Sequence, residues 1–262
     1  MFSQDAWLRQ ELVSTLLNTW LTEIQDLLAD QIEGKMFGAL VGHLPNHCEL
    51  PTNVHYLDQP QGLVVIRAYS GQCCGVWHWP SWVPSLLDHV QVASESWRTQ
   101  YQLHCLSHKI KALQEQVSHP ALSSQELLLE LSTLRQQRTQ VSRQHAQTLR
   151  EFTYLHNVRG ESCRLSEWWP KAPTGVGECC APKLLSYASK VGIQPLALAE
   201  FWIGATPKRP PAQMIESLKL ESPQFSQIKQ VDFYEPCLSR CQPILPYLLA
   251  QKTLLESPHL PS

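Results

Sequence analysis

The first third of the chain combines one helical pattern with two apolar runs. Between residues 4 and 30, apolar side chains recur every three or four positions, which predicts an amphipathic helix. Residues 36–41 and 62–69 are almost continuously apolar, and a loop that contains proline and asparagine separates them. Runs of this kind are typical of strands that are buried on both faces. The pattern therefore predicts a helix followed by two core strands.

Residues 94–159 differ from the flanking segments in composition and in the spacing of their apolar residues. Glycine is absent from this stretch, and in its first half apolar residues recur in alternating steps of three and four. Such spacing predicts the seam of a coiled coil, whose first helix carries Leu103, Leu106, Ile110, Leu113 and Val117. Pro120 interrupts this helix, and Ser123 with Glu126 forms a capping box that begins a second one. Residues 94–159 are therefore predicted to form a long antiparallel helical hairpin that projects as an arm.

Beyond Gly160 the chain again has the pattern of a folded body. Residues 182–191 predict a helix that ends before Gly192, and residues 196–202 predict a strand. Residues 1–93 and 160–262 both carry strand and helix patterns, so we expect them to build one body jointly. The predicted fold class is therefore α+β, with a small mixed sheet and packed helices that the hairpin interrupts.

Composition narrows the classes of function. The chain has 21 Lys and Arg against 23 Asp and Glu, so it lacks the overall basic field that guides nucleic-acid binders. Any contact with RNA must therefore be local. No run of about 18 apolar residues occurs, and no basic region precedes an apolar one at the start, so we expect neither a membrane span nor a signal peptide. These features predict a cytoplasmic protein without a membrane partner.

The cysteines supply a candidate metal site. The chain has nine, and thiols in a reducing compartment more often bind metal or lie buried than form disulfides. Cys179 and Cys180 stand at a predicted helix start, where the helix dipole stabilises thiolates, and Cys237 and Cys241 follow in a closing turn. Such a set suits zinc, in partial likeness to the zinc deaminases, although Pro182 stands where their catalytic Glu belongs. Burial of ordinary thiols is the alternative interpretation.

Basic residues supply a candidate RNA site. A small phosphate-binding patch is predicted from Lys183, Lys208, Arg209 and Arg240. Ordinary solvated surface charge is the alternative interpretation. If the helical arm contacts RNA, the contacts are expected from its arginines, which are Arg135, Arg138, Arg143 and Arg150.

Three segments in the second half of the chain carry a specific combination of residues. They are 175–185 (GVGECCAPKLL), 194–202 (QPLALAEFW) and 237–245 (CLSRCQPIL). Together they resemble the amino-terminal extension of long bacterial RluA-type RNA pseudouridine synthases, and residues 34–41 and 69–88 agree with that extension in the same order. The resemblance implies a helical arm within the extension, an RNA partner such as tRNA or rRNA, and isomerase activity on a following catalytic domain.

One signature of the resembled family is absent. The catalytic aspartate of these synthases lies in an Arg-Leu-Asp motif, whereas this chain has Arg164, Leu165 and Ser166. The resemblance therefore implies an accessory module that faces RNA or a separate catalytic chain, split off or truncated. We expect the purified chain alone to form no pseudouridine in any RNA, as measured by chromatographic separation of the nucleosides, because pseudouridine and uridine have the same mass. A degenerate zinc deaminase-like domain and a coil-pairing interaction protein are the two alternatives.

Overall fold

The computed structural model contains two compact units. Its described residues are 34–44, 51–58, 62–73, 75–119, 124–204, 214–219 and 230–250. Unit 1 comprises Met1–Leu86, Leu155–Cys163 and Gly175–Ser262, and unit 2 comprises Leu87–Tyr154 and Arg164–Thr174. The helix predicted for residues 4–30 and the predicted helix break at Pro120 lie outside the described residues. The two units thus alternate along the sequence, with three segments in unit 1 and two in unit 2.

Unit 1 is built on a six-stranded sheet. Its strands are β1 (Lys35–His43), β2 (His55–Asp58), β3 (Leu63–Tyr69), β6 (Gln194–Ile203), β7 (Met214–Lys219) and β8 (Gln230–Tyr234), in the order β2-β3-β1-β6-β8-β7. The short strands β4 (Tyr154–His156) and β5 (Ser162–Arg164) form a separate pair. The strands predicted at 36–41, 62–69 and 196–202 are therefore confirmed, and the fold mixes helices with a sheet.

The described helices divide between the units. They are α1 (His89–Val117), α2 (Gln125–Glu151) and α3 (Leu165–Trp168) in unit 2, and α4 (Cys180–Lys190) and α5 (Leu245–Leu248) in unit 1. The helix predicted at 182–191 is confirmed as α4, with a start two residues earlier. Among these described helices, none has the length and apolar character needed to cross a membrane.

Every strand pairing described in the six-stranded sheet is antiparallel, so the predicted mixed sheet is wrong. Strand β1 lies between β3 and β6, with Leu40 opposite Ile66 on one side and opposite Leu198 on the other. The residues of β1 are buried on both faces, a pattern that is commoner in parallel sheets. Here an antiparallel strand is buried on both faces because aromatic side chains cover one face and helix α4 covers the other.

The two faces of β1 are covered by aromatic side chains and by helix α4. On one face, the ring of Phe37 lies 5.7 Å from that of Trp82 and 6.4 Å from that of Phe201. On the opposite face, a Cβ atom added at Gly38 would lie 2.5 Å from the Cβ of Cys180, the first residue of α4. Glycine at this strand position therefore allows the helix to approach the sheet closely.

Unit 2 contains two long helices that pack against each other. The buried residues Ile110 and Leu113 of α1 pack with Leu131 of α2. Further along, Arg138 of α2 donates a hydrogen bond from Nε to Ser107 Oγ of α1 at 2.9 Å. Between these two contacts the residue numbers fall along α1 and rise along α2, so the two helices run antiparallel.

The starts of both long helices are capped by polar side chains. Asp88 accepts a hydrogen bond from the backbone N–H of Gln91 at 3.0 Å, and Ser124 accepts one from Leu127 at 3.3 Å. Each satisfies a backbone donor that the first turn leaves without an intrahelical acceptor. The cap of α2 is therefore Ser124, one residue after the predicted Ser123.

Unit 2 also includes residues 164–174, which the sequence pattern assigns to the body formed by residues 1–93 and 160–262. The backbone N–H of Leu165 donates to Thr153 O at 2.8 Å, and Arg150 donates from Nη1 to Ala172 O at 3.1 Å. Residues 164–174 are held to the end of α2 by these bonds. Unit 2 begins at Leu87, ahead of residue 94, where the predicted arm starts.

Candidate functional site

Three of the four predicted cysteine ligands lie together at the start of α4. Cys179 is the residue that caps this helix, and Cys237 and Cys241 belong to the turn that precedes α5. The three sulfur atoms all lie within 4.8 Å of one another, and those of Cys237 and Cys241 are 3.2 Å apart. All three cysteines are free thiols, since a disulfide would need a separation of about 2.0 Å.

The local backbone positions each thiol of this cluster. Gly175 and Gly177 have φ angles of +83° and +92°, which glycine adopts readily, so the chain turns sharply just before Cys179. In the second segment, Cys241 N–H donates to Cys237 O at 3.0 Å, which closes one turn and brings the two side chains to the same side. Cys241 is buried, whereas Cys179 and Cys237 are partly exposed. The cluster is thus held on ordered backbone with one side accessible to solvent.

The proximity of the three thiols shifts their ionisation. Hydrogen bonds from the Cys179 and Cys241 thiols, helped by the backbone N–H groups of Cys241 and Arg240, lower the pKa of Cys237. The pKa of Cys179 is raised, chiefly by its hydrogen bond with Cys237, and that of Cys241 is raised, chiefly by its hydrogen bond with Cys179. The cluster therefore favours one thiolate at a time, because a second negative charge this close is disfavoured. A divalent cation would remove this restriction.

A buried carboxyl group lies near the thiols. Glu200 of β6 is 5% exposed, and its Oε1 accepts a hydrogen bond from the backbone N–H of Ala181 at 2.8 Å. Burial raises the pKa of Glu200 to about 7, and the charge of its ionised form in turn raises the pKa of Cys179 and Cys241. Glu200 is not among the predicted site residues, although a single acid inside an otherwise apolar strand is a signal that could have identified it.

The fourth predicted ligand, Cys180, lies apart from the cluster. It is fully buried, and its thiol faces the carbonyl oxygens of Met36 at 3.5 Å and of Ala68 at 3.7 Å. Cys179 is the extended residue that caps α4, whereas Cys180 is its first helical residue, so the two side chains point in different directions and only that of Cys179 faces the turn at Cys237. The prediction of Cys180 as a metal ligand is therefore wrong, and plain burial describes it.

Lys183 is a buried structural residue, so its predicted contact with RNA is wrong. Its side chain has no exposed surface, and Nζ donates to Tyr69 O at 2.9 Å and lies 3.7 Å from Glu178 Oε2. The ammonium group also lies 5.0 Å from the centre of the Tyr69 ring. The physical reason is helical spacing, since Lys183 follows Cys180 by three residues and shares its inward face.

The other members of the predicted phosphate patch are one exposed arginine and two residues that the structure does not describe. Lys208 and Arg209 lie outside the described residues. Arg240 is exposed, and its Nη1 lies 3.5 Å from the position that a Cβ atom at Gly175 would take. Arg240 therefore stays a candidate for an anion contact beside the glycine turn.

Unit 2 carries a groove lined by positive side chains. The groove follows α2 and has a volume of about 1220 Å³. Its charged lining, as far as the structure describes it, consists of Arg135, Arg143, Arg150 and Lys171. Arg138, the remaining arginine expected to contact RNA, faces α1 through its hydrogen bond with Ser107. The sequence pattern predicts the three arginines, whereas only the tertiary structure adds Lys171.

No family model, curated protein or solved structure matches the chain. The likeness of residues 175–202 to the RluA-type extension therefore stays a prediction from the sequence. The geometry itself presents two candidate sites, a cluster of three thiols in unit 1 and a cationic groove in unit 2.

Proposed function

We propose that the chain is an accessory RNA-binding module of an RluA-type pseudouridine synthase, and that the groove of unit 2 holds the RNA backbone. The observation that carries the proposal is the charge of the groove, since its described lining contains three arginines, one lysine and no carboxylate. Structured RNA such as tRNA or rRNA is the partner, and its phosphates lie against these side chains.

The arginines are spaced so that they act together. Arg135, Arg143 and Arg150 follow one another at intervals of eight and seven residues along α2. Each interval is close to two helical turns, so the three side chains share one face and span about 22 Å. In this proposal α1 and α2 form the predicted coiled-coil arm, which presents the cationic strip to RNA.

The uncharged lining of the groove also suits RNA. It supplies amide and hydroxyl groups from Gln136, Thr139, Gln140, Gln144 and Gln147. Such groups donate and accept hydrogen bonds, which fits the 2′-hydroxyls and phosphates through which structured RNA is recognised by its shape. A net charge of −2 leaves the whole chain without attraction for RNA, so the strip must provide it locally.

The link to a synthase is supported by the sequence resemblance over residues 175–202. An accessory module of this kind binds the substrate without reacting with it. It thereby raises the effective concentration of RNA at the catalytic domain with which it associates.

Removal of the groove cations is expected to weaken RNA binding and to flatten its salt dependence. The variant Arg135→Gln/Arg143→Gln/Lys171→Gln leaves Arg150 in place because that residue holds Ala172. Each lost phosphate contact removes roughly 0.7–0.9 from the slope of log K against log salt, so the slope should fall by about 2–3. Binding of a transcribed tRNA and an rRNA hairpin to the full chain, titrated from low to high salt, measures this change.

A charge-matched control keeps this test specific. Arg98→Gln/Lys109→Gln/Lys111→Gln also removes three cations from unit 2, but none of them lines the groove. We expect it to retain most of the affinity and slope. Equal losses in the two variants, or no salt-dependent binding by the wild type, would contradict the proposal. Concentration-dependent self-association without RNA binding would favour the coil-pairing interaction protein instead.

A further inference from the structure

We propose that Cys179, Cys237 and Cys241 form a metal centre in which three thiolates bind one zinc ion. Zinc fits the donor set because it accepts sulfur ligands in tetrahedral geometry, whereas harder divalent ions prefer oxygen. The inference goes beyond RNA binding, since the cysteines belong to unit 1 and the cationic groove belongs to unit 2.

The separations of the sulfur atoms suit a single small ion. Zn–S bonds of about 2.3 Å at tetrahedral angles place two sulfur atoms about 3.8 Å apart. In the cluster, the Cys237 and Cys241 sulfurs are 3.2 Å apart and all three lie within 4.8 Å of one another. These values bracket the required separation, so small rotations of the side chains complete the geometry.

Both segments hold their thiols on ordered backbone. Cys179 caps the eleven-residue helix α4, whose amino end carries positive partial charge. In the second segment, the backbone N–H of Cys241 donates to Cys237 O at 3.0 Å, and this turn fixes two of the ligands relative to each other. Ligands that the fold already positions lose little conformational freedom when an ion binds.

Among the described residues no fourth protein ligand lies at the cluster, so the fourth coordination position is left for a ligand from solvent. Within the described part of the chain, the group of ligand atoms contains these three cysteines alone, and Cys180 faces the carbonyl groups of the sheet. Cys179 and Cys237 are partly exposed, which gives an ion a path to the cluster. Three protein ligands with one open position are typical of accessible zinc sites, as opposed to closed structural sites with four.

Bound zinc would join two distant parts of the sequence. It connects Cys179, at the start of α4, to Cys237 and Cys241, in the turn before α5. Because the unfolded chain does not hold the three thiols together, zinc binding favours the folded state. Thermal stability of the protein should therefore rise with zinc concentration and fall on chelation.

Titration of the reduced full chain with Co²⁺ and then Zn²⁺ tests the proposal. Cobalt should bind at one equivalent with a sulfur-to-metal charge-transfer band and the visible bands of a tetrahedral site, and zinc should displace it. Cys179→Ser should weaken zinc binding by about 100-fold or more, since even loss of a supporting residue costs about 10–100-fold. Cys237→Ser should give the same result, and it tests the site independently if one of these variants folds poorly.

Two control variants retain all three ligands. Cys180→Ala removes the adjacent buried thiol, and Cys105→Ser removes a half-buried thiol of unit 2. Both should bind one equivalent of zinc with wild-type affinity. No cobalt or zinc binding by the reduced wild type would overturn the inference, and so would a loss in Cys180→Ala equal to that in Cys179→Ser. RNA binding is measured separately, so either site can fail without the other.

Discussion

Replacement of Lys183 by alanine is expected to lower the free energy of unfolding by about 3–5 kcal/mol. Lys183 and Glu178 form a pair with an N–O distance of 3.7 Å, and their side chains are 0% and 10% exposed. Removal of the ammonium group leaves the Glu178 charge buried without this counter-ion. It also deprives the Tyr69 carbonyl of the donor that lies 2.9 Å away. Urea denaturation of the variant and the wild type measures the loss.

A double-mutant cycle separates the charge of Lys183 from its packing. Lys183→Met keeps most of the side-chain volume, and adding Glu178→Gln removes the charge that it leaves behind. The double variant should recover about 1–3 kcal/mol relative to the sum of the single changes. Lys190→Ala, at the exposed last turn of the same helix, is the control and should cost less than about 0.5 kcal/mol. A cost this small for Lys183→Ala would contradict the role of a buried ion pair.

The second large effect is expected at Gly38, where alanine should cost about 1–3 kcal/mol. The added Cβ would lie 2.5 Å from the Cβ of Cys180, 3.1 Å from Leu184 Cδ1 and 3.3 Å from Ala199 O. The Cβ of Cys180 is attached directly to the backbone of α4, so no side-chain rotation relieves the contact. The helix must therefore move away from β1, which loosens the packing between them. Urea denaturation again measures the cost.

A rescue variant distinguishes this contact from other effects at Gly38. Cys180→Gly removes the atom that the new methyl group meets, so Gly38→Ala/Cys180→Gly should be about 1 kcal/mol or more better than additive. Gly71→Ala provides a comparison, because its added Cβ meets nothing within 4 Å and only its φ of +56° is unfavourable. An additive double variant would show that close approach of the helix is not the reason for glycine at this position.

Local pattern alone predicts three strands of the six-stranded sheet and helix α4 of unit 1. The runs at 36–41 and 62–69 are strands because continuous apolar side chains can be buried on both faces of a covered sheet. Helix α4 follows from an apolar periodicity that begins near Pro182 and stops before Gly192. These properties depend on residues a few positions apart, so they can be predicted without knowing what each element packs against.

Strand direction and unit boundaries depend on contacts between distant residues. An apolar run has the same appearance in a parallel and an antiparallel sheet, so the pairing of β1 with β3 and β6 could not be predicted. Residues 164–174 belong to unit 2 through hydrogen bonds to the end of α2, which have no counterpart in the local pattern. Chain connectivity and partner surfaces decide such features.

In the candidate sites, residue type is predictable from the sequence and direction is not. Cys179 and Cys180 are adjacent residues of the same type, and the packing of α4 against β1 decides that Cys179 faces the thiol cluster and Cys180 faces the sheet. The same packing buries Lys183, although lysine is usually exposed. Arg138 and Arg135 differ in the same way, because the side chain of Arg138 bonds to the neighbouring helix whereas that of Arg135 lines the groove. The local sequence determines which chemical groups a helix carries, whereas the surface against which it packs determines where they point.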